Sequence, residues 1–184
     1  MKELLSIIFF FSIALTASSL AKVDPPNYDF SLDKFEIFMP GKSMQEIDAK
    51  YPTKEITFNS EQFQTYKYYI THVRYKFAIQ VQFHKGIVTD FHARLPQYFL
   101  HDIFHQSLIN RLGKQDIYKN ENEHSIYIWK KAKNRRHYYA GACTITCFTL
   151  YYAVKNLDQV LPQEYTSVIQ QLKLSKSKIE KRGE

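Results

Sequence analysis

The chain has 184 residues and carries 25 Lys and Arg against 18 Asp and Glu, which gives a formal net charge of +7. This length suits one domain with a substantial core, and no apolar run after residue 21 is long enough to span a membrane. The basic balance allows anionic partners, but no helix-turn-helix, zinc-finger or aromatic-basic RNA motif occurs, so nucleic acid is not an expected partner.

Residues 1–21 have the layout of a secretory signal peptide. A short charged start precedes an apolar run at residues 4–15, and the small side chains of Ser19 and Ala21 suit a signal peptidase. The run is short for the ~30 Å of hydrocarbon in a bilayer, so an uncleaved membrane anchor is the less favoured alternative. We expect cleavage after Ala21 and a periplasmic or secreted protein.

Residues 43–97 have the pattern of a helix followed by three strands. Ser43 and Glu46 form a capping box at the start of a helix over residues 44–50. Runs rich in Tyr and Phe then predict three strands, at residues 61–71, 73–84 and 87–95. An irregular lead-in, residues 22–42, precedes this first α-β-β-β unit.

Residues 98–156 show the same pattern again. An apolar stripe predicts a helix over residues 98–112, which Gly113 ends. Two strand-like runs follow, at residues 123–131 and 137–156. A loop, a short helix over residues 164–174 and a basic tail make up residues 157–184.

A shift of 61 residues aligns the two units. It places Ile47 on Leu108, and it superimposes two pairs of aromatic residues, Tyr66 on Tyr127 and Tyr68 on Trp129. Few aligned positions are identical, so chance similarity is an alternative, but the matching order of elements favours an internal duplication. The sequence therefore predicts an α+β fold, with two tandem helix-plus-antiparallel-meander units forming one domain and a short C-terminal helix.

These features resemble a known repeat. A short helix, a turn at Gly or Pro, a polar spacer, a Tyr-x-Trp strand and a strand–turn–strand like residues 81–91 are similar to the α-β-β-β unit of two groups, the β-lactamase-inhibitor proteins and the small outer-membrane assembly lipoproteins. The resemblance covers about residues 43–156. It implies that a sheet and its loops face a protein partner, without catalysis. The lipid-anchor cysteine of the assembly lipoproteins is missing, and no contact residue of either group carries over.

The aromatic strands supply the candidate binding residues. Ile126 and Ile128 provide one apolar face of a predicted strand, and aromatic residues occupy the other. Either both faces of the sheet are covered, or four aromatic residues form an exposed platform, as Tyr and Trp do on contact surfaces. The four candidates are Tyr66, Tyr68, Tyr127 and Trp129.

Motifs that carry catalysis are missing. The sequence has no hydrolase elbow, Walker loop, dinucleotide fingerprint, zincin helix or EF-hand loop, so no catalytic residue, metal or cofactor is expected. His101 and His105 have the spacing of a metal-binding pair on a helix, and Asp90 and His92 share one face of a strand as an acid–base pair would. Core or surface roles are the favoured interpretation of both pairs.

Cys143 and Cys147 are the only cysteines. An oxidising compartment favours a disulfide between them. In a continuous strand, however, their Cα atoms would lie about 13 Å apart, whereas a disulfide needs about 7 Å or less. A bridge therefore requires a turn or bulge between them, and two reduced cysteines are the alternative.

The sequence as a whole favours a secreted or periplasmic non-catalytic protein-binding module, such as an inhibitor, an immunity factor or an envelope-assembly accessory. The expected partner is an envelope or extracellular protein, and a membrane surface is a further contact that the charge allows. The alternatives are a small secreted hydrolase acting on cell-wall glycan or peptide, and a lipid-binding module.

Overall fold

The computed structural model describes residues 30–72, 75–95, 101–121, 124–141 and 150–171. The helices are a 3₁₀ helix Leu32–Phe38, α1 Met44–Lys50 and α2 His101–Leu112. The strands are β1 Lys54–Asn59, β2 Phe63–His72, β3 Tyr75–His84, β4 Ile87–Leu95, β5 Ile117–Glu121, β6 His124–Ala132, β7 Arg135–Gly141 and β8 Leu150–Asn156. Across the described residues, no helix has the length and apolar character needed to cross a membrane.

All eight strands belong to one antiparallel sheet, in the order β1-β2-β3-β4-β8-β7-β6-β5. Strands β1 to β4 follow one another as a meander, and so do β5 to β8. The two meanders meet where β4 pairs with β8, with Phe91 opposite Val154 and Ala93 opposite Tyr152. A large antiparallel sheet with a few short helices is an α+β fold, as the sequence predicts.

The helices cover one face of the sheet, which we call the helix-covered face. Its core is strongly aromatic. Phe35 of the 3₁₀ helix stacks on Phe91 at a centroid distance of 5.9 Å, and Phe104 of α2 meets Tyr152 edge-on at 5.3 Å. Aromatic packing of this kind adds about 0.5–1.5 kcal/mol per pair to the energy of area burial. The short helices are therefore held mainly by their contacts with the sheet.

The chain returns across the other face after β8. The Leu157 amide donates to the carbonyl of Asn134 at 3.2 Å, and the chain then reaches residues 165–171, of which 168–171 are helical. The Val168 side chain is buried, and the Tyr165 ring lies 5.7 Å from that of Phe63 on β2. We call residues 165–171 the strap and this face of the sheet the strap face.

Several predicted elements have the expected bounds. Helix α1 begins after Ser43 with the complete capping box, and β4 spans Ile87–Leu95. The lead-in is not wholly irregular, because its residues 32–38 form the 3₁₀ helix Leu32–Phe38, in which Phe35 and Phe38 are buried. The predicted single run over residues 137–156 is wrong in that it contains two strands, β7 and β8, separated by residues 142–149, which lie outside the described part of the chain.

Neither of the two edge strands, β1 and β5, was predicted from the sequence. β1 is almost entirely exposed, and its alternation is broken by a shift of register between Ile56 and Phe58. β5 is a short strand of five residues at the other edge of the sheet. In β1 only two apolar residues alternate, Ile56 and Phe58, and both are exposed, whereas β5 begins with the adjacent pair Ile117 and Tyr118. Neither strand therefore has a period-two apolar pattern long enough to identify a strand with one buried face.

Candidate functional site

The four candidate aromatic residues lie on the helix-covered face and do not form an exposed platform. Tyr68 and Trp129 are 0% and 1% exposed, Tyr127 is also buried, and Tyr66 is half-buried against the core. The expectation of an exposed platform is therefore wrong. The physical reason is that the helices pack on the Tyr and Trp side of β2 and β6, which leaves Ile126 and Ile128 on the strap face.

Two of these aromatic residues are anchored at their polar ends. The Tyr68 hydroxyl donates a hydrogen bond to Asp48 of α1 at 2.9 Å. The Trp129 Nε1–H donates to the carbonyl of Gly113 at 2.7 Å, just after α2 ends. A buried Tyr or Trp is stable when its polar atom has a partner. Both side chains thus fasten a helix to the sheet, which is a structural role.

A second polar pair lies in the same core. The His137 Nδ1 and the Tyr152 hydroxyl are 2.8 Å apart, and both side chains are buried. Burial, together with the nearby cations Arg135 and Lys133, lowers the pKa of His137 to about 4. The imidazole is therefore neutral near pH 7, and the pair is enclosed in the core instead of facing a substrate.

The strap face presents an apolar row over β5 to β8. Strand register places four residues side by side, one from each strand: Ile117, Ile128, Tyr138 and Ala153. The first three are half-buried, and Ala153 is buried. Directly opposed residues share a face of the sheet. Ile126 and Ala140 form a second pair on this face, and both are buried although they lie outside the main core cluster. Past the middle of the sheet the first row becomes polar, with His92 of β4 opposite Ala153.

Cations border this apolar row. Arg136 lies two residues before Tyr138 on β7 and opposite Lys155 of β8, so both point to the strap face. On the other side of the row, Lys119 of β5 and Arg94 of β4 occupy the same face by the same alternation. The side chains of Arg94 and Arg136 are exposed. Ile117, Ile128, Tyr138 and Ala153 therefore form an apolar strip, which positively charged residues border on both sides.

The β6–β7 hairpin extends the positive charge to one end of the sheet. Lys133 and Asn134 have positive φ angles of 50° and 59°, as a two-residue type I′ turn requires. Lys130, Lys131 and Lys133 are exposed around this turn. The salt bridges found among the described residues use other cations: Lys42, Lys54, Lys67 and Arg111. The positive charge of the hairpin therefore lies at the surface of the protein.

The residues considered for chemistry are not arranged for it. Asp90 is 3% exposed, and its carboxylate accepts hydrogen bonds from the Thr89 hydroxyl and the Val168 amide. It is therefore covered instead of open to a substrate. His105 lies 4.0 Å from the Tyr127 ring on the helix-covered face, and the side chain of His101 lies outside what the structure describes. Within the described residues, no three His, Cys, Asp or Glu side chains are grouped to hold a metal ion.

Cys143 and Cys147 lie outside the described residues, so the disulfide stays a prediction. A groove of about 510 Å³ lies where β2 and β3 meet the loops at one end of the sheet. Its lining is mostly polar: Glu61, Gln62, Gln64, Phe83, His84, Lys85, Gly86 and Pro162. That lining does not match the enclosed apolar cavity of a lipid carrier.

The sequence pattern placed Ile126 and Ile128 on one apolar face of a strand, but it did not identify Ile117, Tyr138 or Ala153 as their neighbours. Ile128 and the Arg and Lys residues that flank the strip lie on different strands. The strip can therefore be identified only when the register between β6 and β7 is known. That register is fixed by the turn at Lys133 and Asn134 and by an irregularity between Trp129 and Ala132. No protein-family model matches the chain, and no curated protein or solved structure matches it either.

Proposed function

We propose that this protein is a non-catalytic binding module whose partner is an acidic protein of the cell envelope or the extracellular space. The contact surface is the strap face over β5 to β8 together with the basic β6–β7 hairpin. The observation that carries the proposal is the row of Ile117, Ile128 and Tyr138 bordered by Arg94 and Arg136.

An apolar surface with a charged border is suited to binding another protein. Apolar and aromatic side chains at the centre of a contact supply affinity when they lose water, and a charged rim sets partner choice and association rate. A sheet is rigid, so little conformational entropy is lost on binding. A net charge of +7 favours a partner of the opposite sign. These features suit a protein contact better than a small-molecule site, which would be concave.

The arrangement of the elements supports a tandem duplication. A shift of 61 residues carries the first residue of β2 onto that of β6, and the last residue of β4 onto that of β8. It also carries three core residues onto core residues, each at most 1% exposed: Ile47 onto Leu108, Tyr68 onto Trp129 and Phe91 onto Tyr152. In this proposal each unit has a helix and four strands, one more than the sequence suggested, because the edge strands belong to it.

The proposal includes export. Residues 1–21 serve as the signal peptide, which is removed after Ala21, and the mature chain then acts in the periplasm or outside the cell. Intact-mass measurement of the protein from the envelope or secreted fraction should give a chain that starts at Lys22. A full-length product in the cytoplasm would contradict export.

Charge reversal on the strap face tests the binding proposal. The variant carries Arg94→Glu and Arg136→Glu, and the matched control carries Lys34→Glu and Lys114→Glu, which are exposed positions away from the strap face. Both variants change the net charge equally. We expect the first to lower the affinity for a purified envelope partner at least tenfold, as the loss of about 1.4 kcal/mol implies, and the control to leave it unchanged.

Three outcomes decide this test. Loss of binding in the strap-face variant alone supports the proposed surface. Equal loss in both variants would show that only net charge matters, and unchanged binding in both would place the contact elsewhere. Either of these results would refute the proposed surface. Binding to anionic vesicles, tested with the same two variants, would replace the protein partner with a membrane if it were the stronger interaction.

A further inference from the structure

The strap is fastened to the sheet by a buried carboxylate. Asp90 of β4 accepts a hydrogen bond from the Val168 amide at 2.7 Å and one from the Thr89 hydroxyl at 2.9 Å. Val168 is the first residue of the helical turn 168–171, so its amide has no carbonyl partner within that turn. Asp90 is 3% exposed, and the strap is part of what covers it.

The far end of the strap is held by neutral polar groups. Gln171 Nε2 donates to Gln82 Oε1 at 2.7 Å, and the Thr65 hydroxyl donates to Gln171 Oε1 at 3.3 Å. Between the two ends, the Tyr165 ring lies 5.7 Å from that of Phe63 and 4.6 Å from the Lys155 ammonium. The attachment is therefore mostly polar, in contrast to the aromatic core on the other face. Segments with few apolar contacts open at lower free energy than a core does.

We propose that the strap is a pH-sensitive cover, which docks on β2 to β4 more tightly when Asp90 is protonated and opens more readily when Asp90 is ionised. The proposal concerns a contact within this chain, so it stands whether or not the strap face binds a partner. Opening would uncover Phe63 and Thr65 of β2 and Gln82 of β3, which are buried in the docked form.

The groups that face Asp90 set the direction of the effect. Burial raises the pKa of Asp90 to about 6, although the Val168 amide, the Thr89 hydroxyl, the Tyr165 hydroxyl and the Lys155 ammonium of β8 each act to lower it. Gln82, opposite Asp90 on β3, is neutral. The loss of water around the carboxylate is thus the dominant influence.

Opening the strap returns water to Asp90 while Lys155 stays beside it, so the pKa of the carboxyl falls to its ordinary value of 3.8 or lower. The docked form therefore binds the proton more tightly. Docking strengthens as the pH falls from about 6 towards 3.8, and it is weakest and constant above about 7. A difference of two pKa units corresponds to about 100-fold in the docking equilibrium.

Hydrogen exchange at the Val168 amide measures this equilibrium in the full chain. The protection factor, corrected for the intrinsic exchange rate at each pH and compared with that of the Tyr68 amide in the core, should rise about 60-fold between pH 7.5 and pH 4. In Asp90→Asn the protection of Val168 should not depend on pH. The matched control is Asp158→Asn, an exposed carboxylate in the loop before the strap, which should behave as the wild type does.

A wild-type protection ratio that changes less than twofold would overturn the proposal, and so would a pH dependence that persists in Asp90→Asn. If that variant does not fold, the chemical shift of the Val168 amide in the wild type decides the question. A titration midpoint near pH 6 supports the proposal, whereas a midpoint below pH 4.5 or no titration contradicts it.

Discussion

Replacing Trp129 with Ala should strongly destabilise the fold, because the indole is a core residue and not part of a binding platform. The side chain is 1% exposed. Burying about 150–250 Å² of an aromatic residue at about 25 cal/mol per Å² contributes about 4–6 kcal/mol, and large-to-small core substitutions of Trp cost about 3–5 kcal/mol. The Gly113 carbonyl also loses its donor, which adds about 1 kcal/mol. We expect a loss of about 5 kcal/mol.

Urea and thermal unfolding followed by far-ultraviolet circular dichroism measure this loss without relying on the fluorescence of the deleted Trp. For a domain of this size a loss of about 5 kcal/mol lowers Tm by about 10–20 °C. Lys130→Ala is the matched control, because its side chain is exposed one residue further along β6, and it should change stability by less than about 0.5 kcal/mol. A loss below about 1 kcal/mol in Trp129→Ala would refute the packing described for β6 and α2.

Three further predictions concern single side chains or pairs of side chains. The pKa of His137 is lowered to about 4 in the folded protein, so the folded state resists protonation, and wild-type stability should fall by about 3 kcal/mol between pH 6.5 and pH 4. In urea melts, His137→Gln should remove this part of the acid dependence. An unchanged dependence on pH would contradict the buried, neutral state of His137. Ser43→Ala removes the N-cap of α1 and should cost about 1 kcal/mol, measured by chemical denaturation, whereas no loss would show that the sheet alone holds α1. Thiol labelling of the denatured, unreduced protein should find Cys143 and Cys147 unreactive if they are bridged, and two labelled thiols would contradict the disulfide.

Local signals predicted the elements that depend on local chemistry. The capping box of Ser43 and Glu46 fixed the start of α1, and Gly113, with φ of 79°, follows the end of α2 as the left-handed stop that favours glycine. The turn at Lys85 and Gly86, both with positive φ, set the register of β3 and β4. These helix ends and this turn each depend on a few neighbouring residues, so a single sequence is enough to predict them.

The site depended on contacts far apart in the chain, and there the sequence prediction failed. On β6, Ile126 and Ile128 alternate with Tyr127 and Trp129, so both faces of the strand are apolar and period-two patterning cannot tell which is the core. The packing of α2 on the sheet decides it. His105 lies 4.0 Å from the Tyr127 ring and thereby marks the aromatic side as the core. The strap contact between Val168 and Asp90, 78 residues apart, has no local signature at all.

The most direct test of the proposed contact surface is site-specific photo-crosslinking in living cells. A photoreactive phenylalanine analogue at Tyr138 would lie on the strap face beside Arg136, and the same analogue at Tyr118 would lie on the opposite face, because Tyr118 pairs with the core residue Tyr127. We expect a covalent adduct with one acidic envelope protein from position 138 alone, and loss of that adduct when Arg94→Glu and Arg136→Glu are added. An adduct from Tyr118 and none from Tyr138, or an adduct that survives the charge reversal, would contradict the proposed surface.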